Sequence, residues 1–171
     1  MDKQEARRSL TGIMARFTGY VGKRLPQDVL DKLAQLREGE DSPLSRVVYD
    51  SMFDNLEAAD KLDRPCCQDT GVIQYFVRAG ANFPLLGDLP GILGDAVRQA
   101  TKDAPLRHNA VETFIEKNTG DNTGTRVPWI DWEIDGDGDS AVIEVYMAGG
   151  GCSLPGAAKV LMPSAGYEGV V

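Results

Sequence analysis

The apolar residues of this chain change period at Pro65, and that change restricts it to folds in which helices and strands share a core. Across Gln4 to Tyr20, with Val21 just beyond, Leu10, Ile13, Met14, Phe17 and Val21 recur at three- and four-residue steps, the spacing of a helix with one apolar face. Pro26, Gln27 and Asp28 supply a first turn for a second helix carrying Val29, Leu30, Leu33 and Leu36, which Gly39 ends. Ser42 and Pro43 open a third, with Leu44, Val47, Val48, Met52 and Leu56 on one side. Beyond Pro65 the run Val72 to Val77 is short, β-branched and aromatic, and reads as a strand. Helical spacing returns from Leu89 to Lys102. Trp129 to Ile134 and Ala141 to Met147 then read as two strands, and the turn-rich Asp135-Gly136-Asp137-Gly138-Asp139 between them predicts a hairpin. The expected fold is α+β, a helical first third followed by mixed strands and helices, in a single domain over residues 1–171 without internal repeats.

A chain of this length buries roughly 68 to 70% of its unfolded surface, enough for a real core. No apolar run approaches 18 residues, so no membrane span is expected. The N-terminus lacks the central apolar region of an export signal. Three cysteines, Cys66, Cys67 and Cys152, form an odd set unsuited to a disulfide framework, and the two features together predict a reducing, cytoplasmic setting. Net charge is −8 with no basic stripe, which argues against nucleic acid as a partner. A small anionic substrate stays compatible with that charge, because surface charges are screened beyond about 8 Å and a few local cations decide affinity.

Asp135, Asp137 and Asp139 alternate as in a calcium loop, but the positions that would need glycine and glutamate hold Ser140 and Tyr146. A solvated turn is the expectation there. Three glycine-bearing segments remain: Arg64 to Gly71, Asn118 to Gly124, and Ala148 to Cys152. None has the Walker or dinucleotide pattern. Glycine runs let backbone amides approach an anion such as a carboxylate, although Asn118 to Gly124 by itself reads as a plain turn. Cys67 followed by Gln68 and Asp69 joins a thiolate to an amide and a carboxylate just before a strand, a grouping that a strand entrance does not require and a substrate-handling metal site does.

Cys67-Gln68-Asp69-Thr70-Gly71 resembles the first cluster-ligand motif of the class I fumarases and related L-tartrate dehydratase alpha subunits, a family of iron-sulfur hydro-lyases, and Gly149 to Gly151 resembles their glycine turn. Met52 to Asn55, Phe83 to Gly87, Ala104 to Glu112 and Val145 to Cys152 extend the likeness over nearly the whole chain, with the tartrate branch the nearer. The resemblance implies a 4Fe-4S cluster held by three cysteines, with one iron free to act on a hydroxy-dicarboxylate substrate. Cys67 matches its first ligand, and the other two lie in family text beyond Val171, where this chain is expected to be cut short. Gln68, Asp69 and Arg107 match catalytic and substrate-binding positions. His108 and the amides around Gly149, Gly150 and Gly151 match substrate-binding positions, with His108 orienting substrate and the general base coming from elsewhere.

The resemblance also implies a beta subunit and an alpha2-beta2 heterotetramer. Arg107 has the planar fork that grips a carboxylate bidentately, although an ion pair with Asp103 or Glu112 is an equally available use for it. Adjacent residues of an extended segment face opposite ways, so Cys66 is not expected to share a cluster with Cys67. Cys152 is read as a packing or pocket-lining cysteine. Two alternatives stand beside tartrate dehydration to oxaloacetate: a fumarate and malate hydratase, and a catalytically silent fragment that only binds a beta-like partner.

Overall fold

The computed structural model describes residues 2–112, 114–153 and 158–170, the side chains of 152 and 153 excepted. Three helices come first, α1 (Lys3–Lys23), α2 (Gln27–Glu38) and α3 (Pro43–Leu62). Asp2 caps α1 by accepting the Glu5 N–H at 2.7 Å, and Ser42 with Pro43 opens α3. Strand β1 (Val72–Ala79), helix α4 (Leu89–Asp103), the short strands β2 (Val111–Glu112) and β3 (Lys117–Asn118), strands β4 (Trp129–Ile134) and β5 (Ala141–Ala148) and the one-turn α5 (Gly150–Ser153) follow. The α+β expectation holds. Among the described residues no helix is long and apolar enough to cross a membrane.

The core lies where α1 and α4 pack on one face of a three-stranded sheet. β1 sends Ile73, Tyr75, Val77 and Ala79 to that face at period two, and all four are buried. Leu89, Ile92, Leu93, Ala96, Val97 and Ala100 of α4 answer at helical spacing. Full burial of a Leu or Ile stabilises the fold by about 1.5–3 kcal/mol relative to exposure. Helix α1 contributes Met14 and Ala15, and it comes so close to the end of α4 that a Cβ on Gly22 would stand 2.7 Å from Leu106. The apolar stripes of α2 and α3 behave otherwise. The helices form as their spacing predicts, yet Leu44, Val47, Val48 and Met52 stay exposed.

The predicted hairpin of Trp129–Ile134 with Ala141–Met147 does not form. The sheet order is β4-β1-β5, with β4 parallel and β5 antiparallel to β1, so β1 lies between the two strands expected to pair. The intervening turn has another partner. It folds over the end of β1: the Asp135 N–H donates to the Ala79 carbonyl, those of Ala81 and Asn82 donate to the Gly136 and Gly138 carbonyls, and that of Gly80 donates to the Ser140 carbonyl. A Cβ on Gly80 would collide with the Gly138 carbonyl, so glycine permits the crossing. The five residues from Asp135 to Asp139 are all exposed, as expected of a solvated turn.

One polar contact sits inside this core. The Thr18 and Tyr75 hydroxyls, both fully buried, share a hydrogen bond of 2.7 Å between α1 and β1. Burial pushes the Tyr75 phenol up to about 12, so it stays neutral within that bond. Replacing either partner leaves the other hydroxyl without one. We therefore expect Tyr75→Phe and Thr18→Val each to lower stability by about 1–3 kcal/mol in urea unfolding, and the double variant to lose less than the sum. Strict additivity would show that the bond contributes nothing.

Candidate functional site

The pairing of the sheet determines which loops meet. Val72 stands opposite Ala148 and Gln74 opposite Trp129, so the start of β1, the end of β5 and the start of β4 share one edge of the sheet. Gly71, at φ +66°, leads into β1 so close to β5 that any Cβ on it would collide with the Ala148 carbonyl. Only glycine fits that join.

Asp69 binds this edge together. Its Oδ1 accepts the Gly71 N–H at 3.0 Å and the Asn109 side-chain amide at 2.6 Å, and its Oδ2 accepts the Gly151 N–H at 3.0 Å. The Gly151 amide, opposed by partial burial and aided by the Gly71 and Gly150 amides and the charge of Arg107, holds the Asp69 carboxyl below its ordinary range. An ionised carboxylate thus joins three segments by charge-assisted bonds. The glycine turn differs from Gly71. A Cβ on Gly149, Gly150 or Gly151 would lie 3.4, 3.6 or 3.9 Å from the Asp69 Oδ2, which is ordinary contact, so the described residues leave room for side chains that the sequence does not supply.

The segment carrying Arg107 and His108 is fixed through its backbone. Asn122, buried and at φ +59°, donates to the Arg107 carbonyl at 2.9 Å and accepts the Asn109 N–H at 2.7 Å, while Asn118 donates to the His108 carbonyl at 2.6 Å. Asn118 to Gly124 is therefore built of turns, as read, but it also supplies the bracket that holds this segment. Neither Asp103 nor Glu112 pairs with Arg107: the Asp103 carboxylate accepts from Gln99, and Glu112 accepts the Thr125 hydroxyl. Arg107, His108, Asp69 and Gly150 line one open cleft of about 800 Å³, in the range of small-molecule sites. The sequence reading missed Asn109, Asn122 and Arg126, which also belong to this region.

Cys67 and Gln68 lie on the exposed bend before Asp69 and are not among the residues lining that cleft. The Asp69 N–H donates to the Cys67 Sγ at 3.4 Å, the kind of bond that supports a thiolate ligand. Cys66 differs from its neighbour: it is half-buried, burial pushes its thiol up, and its carbonyl accepts the Asn55 side chain at 2.7 Å. Among the described residues no group of three or more His, Cys, Asp or Glu could hold a metal ion, so Cys67 fits as one ligand and not as a complete site. The side chain of Cys152, read as packing or pocket-lining, lies outside the described residues.

Residues 11–171 match the family model described as fumarate hydratase (Fumerase). The chain is similar to proteins named L(+)-tartrate dehydratase subunit alpha from Escherichia coli (strain K12) and Shigella sonnei (strain Ss046), each 59% identical over 170 residues, 99% of this chain and 56% of theirs. It is also 32% identical, over 85% of its length and 52% of the relative's, to a protein of Methanocaldococcus jannaschii provisionally named for the same subunit. The chain spans about half the length of the curated relatives it matches.

The Asp69 junction makes a prediction independent of chemistry. In Asp69→Ala, the Gly71 and Gly151 amides should exchange with deuterium roughly tenfold faster or more, while amides within β1 keep their rates. Unchanged exchange at Gly151 would mean that the carboxylate does not hold the glycine turn.

Proposed function

The chain belongs to the fumarate hydratase (Fumerase) family, and on that premise we propose that it is part of the alpha subunit of an iron-sulfur hydro-lyase that dehydrates L(+)-tartrate to oxaloacetate. The observation that carries this reading is the cleft in which Asp69, Arg107, His108 and Gly150 come together beside the Cys67 bend. The names of the relatives support tartrate as substrate. The family description makes fumarate and malate the second pair to test.

In this reading Cys67 is one cysteine ligand of a 4Fe-4S cluster, which when bound supplies an open iron as Lewis acid for the departing hydroxide. Arg107 binds a substrate carboxylate through its planar fork, a geometry that lysine cannot copy. Gly150, the residue of the glycine turn that lines the cleft, leaves room for that anion because it has no Cβ. Asp69, committed to the Gly71, Asn109 and Gly151 donors, keeps the two binding segments in register. His108 orients the hydroxyls from the cleft wall, and the family likeness assigns Gln68, on the bend outside it, to the same substrate. Dehydration removes a proton from one carbon and hydroxide from its neighbour, leaving an enol that becomes oxaloacetate. The base for that proton belongs to a beta-subunit partner, and the working assembly is an alpha2-beta2 heterotetramer in the cytoplasm.

The test uses the full-length protein co-expressed with its beta subunit and reconstituted without air with iron and sulfide. L-tartrate should yield oxaloacetate, followed by coupled reduction to malate, and Cys67→Ser should abolish both the activity and the cluster's visible absorption. Normal turnover by Cys67→Ser would refute the ligand assignment. Efficient fumarate hydration without tartrate turnover would transfer the protein to the second substrate pair.

A further inference from the structure

A dicarboxylate presents two anionic ends, and Arg107 accounts for one. The same cleft is lined by a second arginine, Arg126. Arg126 sits in a tight turn closed on both sides, the Gly124 N–H donating to the Val127 carbonyl at 2.9 Å and the Val127 N–H donating back at 3.1 Å. Its φ of +59° is left-handed, a conformation that turns normally assign to glycine, asparagine or aspartate. Nothing in the turn itself requires a long cationic side chain there. Glu112, the carboxylate that touches this turn, is engaged by the Thr125 hydroxyl at 3.2 Å. Arg126 is exposed at the cleft, and among the described residues its side chain has no ion pair or hydrogen bond. An exposed long cation held in a left-handed backbone conformation that places it on the wall of a cleft has the marks of a residue kept for a ligand.

We infer that Arg126 is a specificity-determining residue that binds the substrate carboxylate Arg107 does not hold. This rests on the hydroxy-dicarboxylate reading above and adds to it a second anchor. One guanidinium recognises any carboxylate, whereas two held on separate fixed segments select a molecule carrying both. The chain has a net charge of −8, so local cations must supply the attraction that the molecule as a whole does not.

The experiment compares the affinity of the intact reconstituted protein, with its partner, for L-tartrate and for glycerate, which keeps two hydroxyls but has one carboxylate. Calorimetric titration is run on the wild type, Arg126→Gly, Arg126→Asn and Arg107→Gln. Glycine and asparagine both accept the left-handed backbone, so the turn survives and at least one variant reports if the other misfolds. The wild type should prefer tartrate, and removing Arg126 should cut that preference by roughly tenfold or more, mainly through weaker tartrate binding. Unchanged preference in both Arg126 variants, with Arg107→Gln weakening tartrate, would overturn this inference and leave the dicarboxylate reading intact. Failure of the wild type to bind tartrate, or indifference to Arg107→Gln, would remove the reading beneath it.

Discussion

The carboxylate of Asp69 accepts from Gly71 beside it, from Asn109 40 residues on and from Gly151 82 residues on, and the candidate site exists because those three donors converge on one charge. Two of these segments are loops and the third a single helical turn, the sort of backbone that frays when nothing fixes it. Charge-assisted bonds to an ionised group are about twice as strong as neutral ones, so one side chain does what a small apolar cluster would do elsewhere. Asp69 stays ionised because the donors favour its charged form more than partial burial opposes it.

The sheet makes that convergence possible. β1 is central, with a parallel neighbour on one side and an antiparallel one on the other, so its first residues meet the end of β5 and the beginning of β4 together. The helices α1 and α4 hold β1 from one face through contacts that are almost wholly apolar, with the Thr18–Tyr75 bond the polar exception. Asn122 repeats the principle on the other wall: a buried amide with both ends engaged sets the backbone from Arg107 to Asn109 and leaves the side chains of Arg107 and His108 for the cleft.

Much of this was legible in the chain alone, for local reasons. The helices and strands followed from apolar period, and Asp69, Arg107 and His108 stood out by residue type and by likeness to a family. Pairing did not follow, because hairpin prediction assumes that a turn-rich loop joins neighbours. Here Gly80 lets the loop lie across the end of β1, a non-local contact that a periodicity argument does not contain. Asn122 looked like one more turn residue, since nothing in Thr-Gly-Asp-Asn-Thr-Gly distinguishes a solvated amide from a buried bracket. Arg126 carried no signal at all, as its interest lies in a backbone angle and a missing partner.

The most direct test is a crystal structure of the intact protein with its partner, grown without air in the presence of L-tartrate. The account predicts an iron bonded to the Cys67 sulfur and one tartrate carboxylate bound by Arg107 against the glycine turn. Tartrate bound elsewhere, or a Cys67 sulfur with no iron in a protein that still turns over, would contradict it.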